Sequence, residues 1–141
     1  MLPHRPPFLF VSRVVLVQPG RAEAEWRVMG DEDFLRGHFP GRPLVPGVLL
    51  GEALAQAAGL ALSGDAHAHP GASADARGPG QGGAGPRGTA PMGMLAQMDL
   101  RFRSAAEPPC TIVLRAQGIG SIGSLHRFEV SALVGDRCVA T

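Results

Sequence analysis

The sequence contains no lysine, tyrosine or asparagine, and aromatic residues make up only 5% of its 141 positions. So few aromatic side chains cannot build the stacking surface that binds single-stranded nucleic acid. The thirteen basic residues, all arginine, nearly balance twelve acidic ones, and the net charge of +1 provides no strong attraction to nucleic acid or to a membrane surface. Two cysteines are too few for a disulfide scaffold. We therefore expect a soluble protein that binds neither nucleic acid nor membranes.

Uninterrupted hydrophobic runs are also scarce near the start of the chain. The run Phe8–Val17 contains Arg13 and is too short to cross a bilayer. No positively charged segment precedes it and no small-residue cleavage site follows it, so we expect no signal peptide and a cytoplasmic location.

Residues 64–91 contain no Val, Ile, Leu, Met or Phe and consist mainly of Gly, Ala, Pro and a few polar residues. Such a segment buries too little apolar surface to offset the conformational entropy lost on ordering. The flanking parts are each too small to look like independent domains. The sequence therefore predicts one domain over residues 1–141 that carries a disordered insert at 64–91.

The patterns on both sides of this insert predict an α+β domain. Phe8–Val17 reads as an apolar strand, and residues 22–28 alternate between apolar and charged side chains, as in a half-buried strand. From Pro46 to about Leu62 the chain is apolar on nearly every side, which is typical of a buried helix. Further strands are predicted at Ile112–Gln117 and around residues 126–134. We expect an antiparallel sheet wrapped around one central helix.

The most informative residue of the predicted helix is Glu52. Carboxylates are rarely buried without a partner, yet Glu52 lies in the most apolar segment of the chain. Gln56 follows one helical turn later, within reach of a hydrogen bond. A glutamate at a wet patch of the helix is the structural alternative, and burial favours a functional role.

The second candidate lies in the segment 37–47, which reads GHFPGRPLVPG and contains three prolines and three glycines. Prolines restrict the backbone, so this segment predicts a stiff loop that leads to the N-terminus of the helix. A single loop histidine such as His38 is often incidental. Here it is combined with an isolated glutamate and with the backbone N–H groups of a helix N-terminus, a set that supplies a base, an acid and oxyanion donors.

The stretch from Gly37 to Gln56 closely resembles the signature of bacterial (3R)-hydroxyacyl-acyl carrier protein dehydratases of the FabZ type. The opening segment 2–9, LPHRPPFL, and the short Arg101–Phe102–Arg103 element also resemble this family. The resemblance covers the chain apart from the insert. It implies a hot-dog fold, an antiparallel sheet around one long helix, which agrees with the α+β architecture expected above.

The same resemblance implies the roles of individual residues. His38 matches the catalytic histidine and Glu52 the catalytic glutamate, which in this family come from different subunits of a dimer. Among substrate-binding residues, Gly47 and Val48 match the backbone donors that face the thioester, and Gln56 matches the glutamine near the glutamate. Arg101 and Arg103, as substrate-binding candidates, could meet the acidic carrier protein or the phosphopantetheine phosphate, and a solvated strand face is the equal alternative.

In the implied reaction, His38 removes the C2 proton of a 3-hydroxyacyl thioester and Glu52, kept protonated by an apolar setting, protonates the departing hydroxyl. No metal and no cofactor is required. The expected partners are acyl carrier protein bearing the 3-hydroxyacyl-phosphopantetheine group and a second copy of the chain, with a trimer of dimers as a further option.

The sequence departs from the family pattern at several positions, among them Gly51, where a bulkier apolar residue is usual. Three alternatives to a dehydratase stay open: a hot-dog thioesterase, an isomerase relative, and a non-catalytic module that binds the acyl carrier or the acyl chain. The isomerase relative typically carries Asp where Glu52 stands, and the His-Phe-Pro-Gly motif is not the usual thioesterase signature.

Overall fold

The computed structural model describes residues 2–68 and 93–141. One helix packs against a five-stranded sheet in which consecutive strands are antiparallel neighbours, in the order β1 to β5. The predicted α+β architecture is confirmed. In chain order the elements are β1 Arg13–Gln18, β2 Arg21–Val28, the helix α1 Gly47–Ala68, β3 Cys110–Ile122, β4 Leu125–Val134 and β5 Arg137–Ala140, with a single 3-10 turn at Asp33–Leu35 before the helix.

Strand β2 shows why the alternating pattern was informative. Ala22, Ala24, Trp26 and Val28 are buried against the helix, while the residues between them face outward. On the outward face Glu25 pairs with Arg13 of β1, and Glu23 pairs with Arg115 of β3. A strand with one buried face has apolar residues at every second position, because its side chains alternate between the two faces of the sheet.

The first predicted strand is only partly correct. Strand β1 begins at Arg13, so residues 8–12 are not part of the sheet. The backbone N–H of Phe10 and the carbonyl of Phe8 are hydrogen-bonded to the side chain of Gln56 on the helix. These backbone groups are therefore satisfied by the helix and do not require a neighbouring strand.

The helix is longer than predicted. It continues to Ala68, so residues 64–68 are helical and their assignment to a disordered insert is wrong. The chain has no proline between Pro46 and residue 70, so nothing interrupts the addition of one hydrogen bond per residue. The rest of the predicted insert, residues 69–91, lies outside the described residues.

By length and composition, Gly47–Gly64 is apolar enough to cross a membrane, with a mean hydropathy of 1.3. Half of this stretch is buried inside the chain. The core helix of a soluble protein meets the same criterion, and burial against the sheet accounts for the apolar composition of α1.

Gly64 allows the helix to approach the end of β1 closely. A Cβ atom at this position would lie 2.4 Å from the carbonyl oxygen of Gln18 and 2.8 Å from its carbonyl carbon. Backbone atoms cannot move aside as a flexible side chain can, so the contact requires glycine.

We expect Gly64→Ala to lower the free energy of unfolding by about 1–3 kcal/mol, because the added methyl group forces the helix away from β1. Gly59→Ala is the matched control, since a Cβ atom there meets only the side chain of Leu2 at an ordinary 3.6 Å. That substitution should be neutral or stabilising, because alanine favours helix over glycine. Urea denaturation of both variants measures the difference, and equal stabilities would contradict the proposed role of Gly64.

Candidate active site

The loop before the helix holds His38 in a defined place. The backbone N–H of His38 donates to the carbonyl of Leu35, and the N–H of Leu44 donates to the carbonyl of His38. Phe39 and Arg42 exchange two backbone hydrogen bonds, and the His38 and Phe39 rings stack at a centroid distance of 4.4 Å. The prediction of an ordered loop is supported by this network.

The hydrogen bonding of the His38 ring indicates its tautomer. The Nδ1 atom lies 3.0 Å from the carbonyl oxygen of Leu44. A carbonyl oxygen only accepts, so Nδ1 carries the proton and donates it. In the neutral ring Nε2 is then unprotonated, and its lone pair is available to a substrate. The geometry therefore gives His38 the form that a general base requires.

The N-terminus of α1 lies directly after this loop. The carbonyl of Pro46 accepts from the N–H groups of Leu49 and Leu50, which starts the helix. Within the described parts of the chain, the N–H groups of Gly47 and Val48 have no acceptor. Free N–H groups at a helix N-terminus favour negative charge, and the substrate-binding role that the family resemblance implies for these two residues stays a prediction.

Glu52 lies four residues after Val48, on the same face of the helix. Its side chain is 24% exposed, and its Oε1 atom accepts a hydrogen bond of 3.1 Å from Gln56 Nε2. His4 Nε2 lies 3.4 Å from the same oxygen. The expectation of a purely apolar setting is therefore wrong, because the N-terminal segment brings polar groups to this carboxyl group.

Gln56 is 1% exposed, and its amide makes its hydrogen bonds inside the chain. Its Oε1 accepts from the N–H of Phe10 at 3.0 Å, which fixes the orientation of the amide. Its Nε2 is thereby directed to the carbonyl of Phe8 and to Glu52. Both N–H groups of the Gln56 amide are used inside the chain, and the substrate-binding role expected of this residue stays a prediction.

The segment 98–103 lies beside the N-terminal part of α1, and its last residues pair with the end of β5 and with Thr141. Phe102 forms an isolated antiparallel bridge with Ala140. A Cβ atom at Gly47 would lie 2.9 Å from the ring of Phe102, and one at Gly51 would lie 3.0 Å from the sulfur of Met98. Met98 therefore occupies the space that a bulkier residue at position 51 would need.

Arg101 and Arg103 are exposed and alternate with Phe102 in this extended segment. The ring of Phe102 points to Gly47, and neighbouring side chains of an extended chain point to opposite sides. The two arginines therefore point away from the helix N-terminus. Contact with the carrier protein or its phosphopantetheine phosphate and a solvated strand face both stay open for these two residues.

A family model described as a FabA-like domain matches residues 2–141. The chain belongs to this family. The resemblance to FabZ-type dehydratases is also confirmed by curated relatives. The FabZ 3-hydroxyacyl-[acyl-carrier-protein] dehydratase of Rhizorhabdus wittichii is 37% identical over 145 residues, which cover 99% of this chain and 78% of that protein.

The FabZ 3-hydroxyacyl-[acyl-carrier-protein] dehydratase of Anaeromyxobacter sp. strain Fw109-5 is 59% identical over 61 residues. That match covers 43% of this chain and only 39% of the relative, and several of the other matches are equally short. The alignment with the Ralstonia nicotianae dehydratase, at 34% identity, again covers 99% of this chain and 76% of the relative.

Solved structures show that this FabA-like domain has the hot-dog fold. The dehydratase heterocomplex ApeI:P from Xenorhabdus doucetiae matches with a TM-score of 0.71 and 16% identity, over 99% of this chain and 82% of that chain. An uncharacterized protein from Pyrococcus horikoshii matches with a TM-score of 0.66 and 18% identity, over 99% and 88% of the two chains. At these identities the likeness concerns the fold alone.

The FabA-like domain brings some of the predicted site residues together and leaves others apart. Glu52 and Gln56 are in contact, and Gly47 and Val48 lie four to five residues before Glu52 on α1. Within the described parts of the chain, no hydrogen bond or ion pair joins His38 to Glu52. Within the described residues, His38 and Glu52 of one chain are therefore not joined by a polar contact.

The placement of two side chains beside α1, those of Phe102 and His4, was not predicted from the sequence. The ring of Phe102 packs on Gly47. The sequence signal that could have indicated this is the position of one apolar residue between two arginines in an extended segment. His4 lies beside Glu52, but nothing in the sequence pattern relates the two, because they meet only through tertiary packing.

Proposed function

We propose that this protein is a hydro-lyase that converts (3R)-3-hydroxyacyl-acyl carrier protein to trans-2-enoyl-acyl carrier protein and water in fatty acid biosynthesis. The observation that carries the proposal is the 3.0 Å contact between Nδ1 of His38 and the carbonyl oxygen of Leu44, from which we infer that Nε2 is unprotonated in the neutral ring. Membership of the FabA-like family and relatives named as FabZ dehydratases support it. The enzyme is soluble, and we place it in the cytoplasm.

His38 acts as the base. The thioester carbonyl acidifies the neighbouring C2–H bond, and Nε2 of His38 accepts this proton. Negative charge then moves to the thioester oxygen. The N–H groups of Gly47 and Val48, together with the helix dipole, stabilise that charge, since they have no acceptor within the described residues.

Glu52 acts as the acid. The electron pair left at C2 forms the double bond to C3 while the C3–O bond breaks, and the hydroxyl group leaves as water when it receives the proton of Glu52. Oε1 already accepts from Gln56, so the proton is carried on Oε2. The reaction leaves a carboxylate and an imidazolium, and proton return through solvent restores both groups.

We further propose that the complete site forms between two copies of the chain. Large apolar side chains are exposed at the helix N-terminus and along the segment 93–102 that runs beside α1, with Val48 at 81%, Phe102 at 55% and, further along the helix near Leu62, Met94 at 88% exposure. Exposed apolar surface of this kind is typical of a protein interface. His38 of one copy would then face Glu52 of the other. Assembly beyond a dimer stays a prediction.

The exposed guanidinium groups of Arg101 and Arg103 are proposed to contact the carrier. They lie on the side of the 98–103 segment that faces away from the helix, where a macromolecule can approach. Arginine forms bidentate hydrogen bonds with phosphate and carboxylate groups, which suits both the phosphopantetheine phosphate and an acidic carrier surface.

The experiment that tests this function supplies the purified protein with a 3-hydroxyacyl thioester of acyl carrier protein and follows the ultraviolet absorbance of the enoyl product. We expect formation of the enoyl thioester without free carrier thiol. Release of the thiol would instead indicate a thioesterase. Binding of the acyl carrier without turnover would indicate a non-catalytic module, and either outcome would overturn the proposal.

A further inference from the structure

The N-terminal segment, residues 2–10, lies against the face of α1 that carries the proposed acid. Leu2 packs beside Gly59, and Phe8 and Phe10 are hydrogen-bonded to Gln56. His4 lies between these two anchors, next to Glu52. The segment is thus attached to α1 both before and after His4, the residue that approaches the carboxyl group of Glu52.

The backbone around His4 is held by Arg5. Its Nη1 atom donates to the carbonyl oxygens of Leu2, Pro3 and His4, at 3.2, 3.3 and 2.7 Å. Three carbonyls directed at one guanidinium group close this short stretch into a compact turn. The position of the His4 side chain therefore follows from contacts that do not involve Glu52.

The side chain of His4 has two different environments. Its Nε2 is 3.4 Å from Glu52 Oε1, while its Nδ1 is buried and has no hydrogen-bond partner among the described residues. The ring also lies near Phe8, at a centroid distance of 6.3 Å. Among the described residues, the polar contact of the His4 ring is the one that Nε2 makes with the carboxyl group of Glu52, which is therefore the route by which the imidazole acts on the site.

We infer that His4 is a positioning residue, which together with Gln56 holds Oε1 of Glu52 and so presents Oε2 to the substrate. The inference rests on the proposed function. In this role the Nε2–H group of His4 is directed at Oε1 of Glu52. The distance between the two atoms shortens to a hydrogen bond as negative charge develops on the carboxyl group. Arg5 and Glu52 are the charged groups that approach His4 from its own segment and from α1.

This role predicts a particular kinetic signature. The interaction strengthens only while Glu52 gives up its proton, so its loss should lower kcat and leave KM unchanged. A residue that merely packed the N-terminal segment would instead lower stability. The two possibilities are therefore separated by measuring turnover, KM and thermal unfolding on the same variants.

The test compares His4→Phe, which keeps a planar ring without a donor, with His4→Gln, which restores an N–H group near the position of Nε2. The control is His126→Phe, at an exposed position on β4. We expect His4→Phe to lower kcat about 10- to 100-fold with KM within about twofold, and His4→Gln to recover most of the loss. Wild-type kcat in His4→Phe, or equal impairment of the two His4 variants, would overturn the inference.

A measurement without turnover separates this inference from the proposed function. In protein labelled with ¹³C at the glutamate side-chain carboxyl carbon, the Glu52 signal is assigned by its loss in Glu52→Gln. We expect it to shift in His4→Phe, to return toward its original position in His4→Gln, and to stay unchanged in His126→Phe. An unmoved signal in His4→Phe overturns the role of His4. A shifted signal in a protein that does not dehydrate the thioester overturns the proposed function alone.

Discussion

His38→Ala is expected to lower kcat for dehydration by about 10³-fold while the protein stays folded. The substitution removes the Nε2 lone pair that the hydrogen bond to Leu44 leaves available, and no other group in the loop can replace it. The His38 ring is only partly buried, so its loss opens no large cavity. Enoyl absorbance measures turnover, and circular dichroism monitors the fold.

The control for this variant is His126→Ala, which removes an exposed imidazole on β4 and should retain wild-type turnover. Near-normal dehydration by His38→Ala would assign the base to another residue. Mixing His38→Ala with inactive Glu52→Gln also tests the shared site. If each site combines His38 of one copy with Glu52 of the other, random exchange restores about a quarter of the wild-type sites. No recovery despite demonstrated exchange would contradict the shared site.

Glu52→Gln is expected to abolish dehydration and to leave the stability at neutral pH equal or higher. A glutamine side chain cannot supply the proton that the leaving hydroxyl needs. Its carbonyl oxygen can still accept the hydrogen bond from Gln56, so no buried donor loses its partner. Turnover and the urea midpoint of unfolding are the two measurements.

The matched control is Glu129→Gln, at an exposed glutamate of β4, which should change neither quantity. If Glu52→Gln keeps near-normal turnover, the acid lies elsewhere. If it unfolds the protein, Glu52 is instead a structural partner of His4 and Gln56, and the assignment as catalytic acid is wrong.

Where an element has one buried face, its hydrophobic pattern was sufficient to predict it from the sequence. Strand β2 was predicted because a period of two records which side chains pack against the helix. The start of α1 was also correct, since the proline-rich loop and the apolar run after Pro46 are local features. The prediction of a strand over residues 8–12 was wrong, because their apolar composition does not show whether they pair with a strand or pack on the helix.

The sequence by itself determined the fold class, the loop that carries His38 and the isolated glutamate of the helix, because each depends on neighbouring residues of one element. Only the tertiary structure decided the environment of Glu52. The contacts of His4, Phe8 and Phe10 with the helix join residues that are distant in the chain, and no periodicity records them. Which oxygen of the carboxyl group is free depends on those contacts, so the chemistry of the site follows from packing and not from composition.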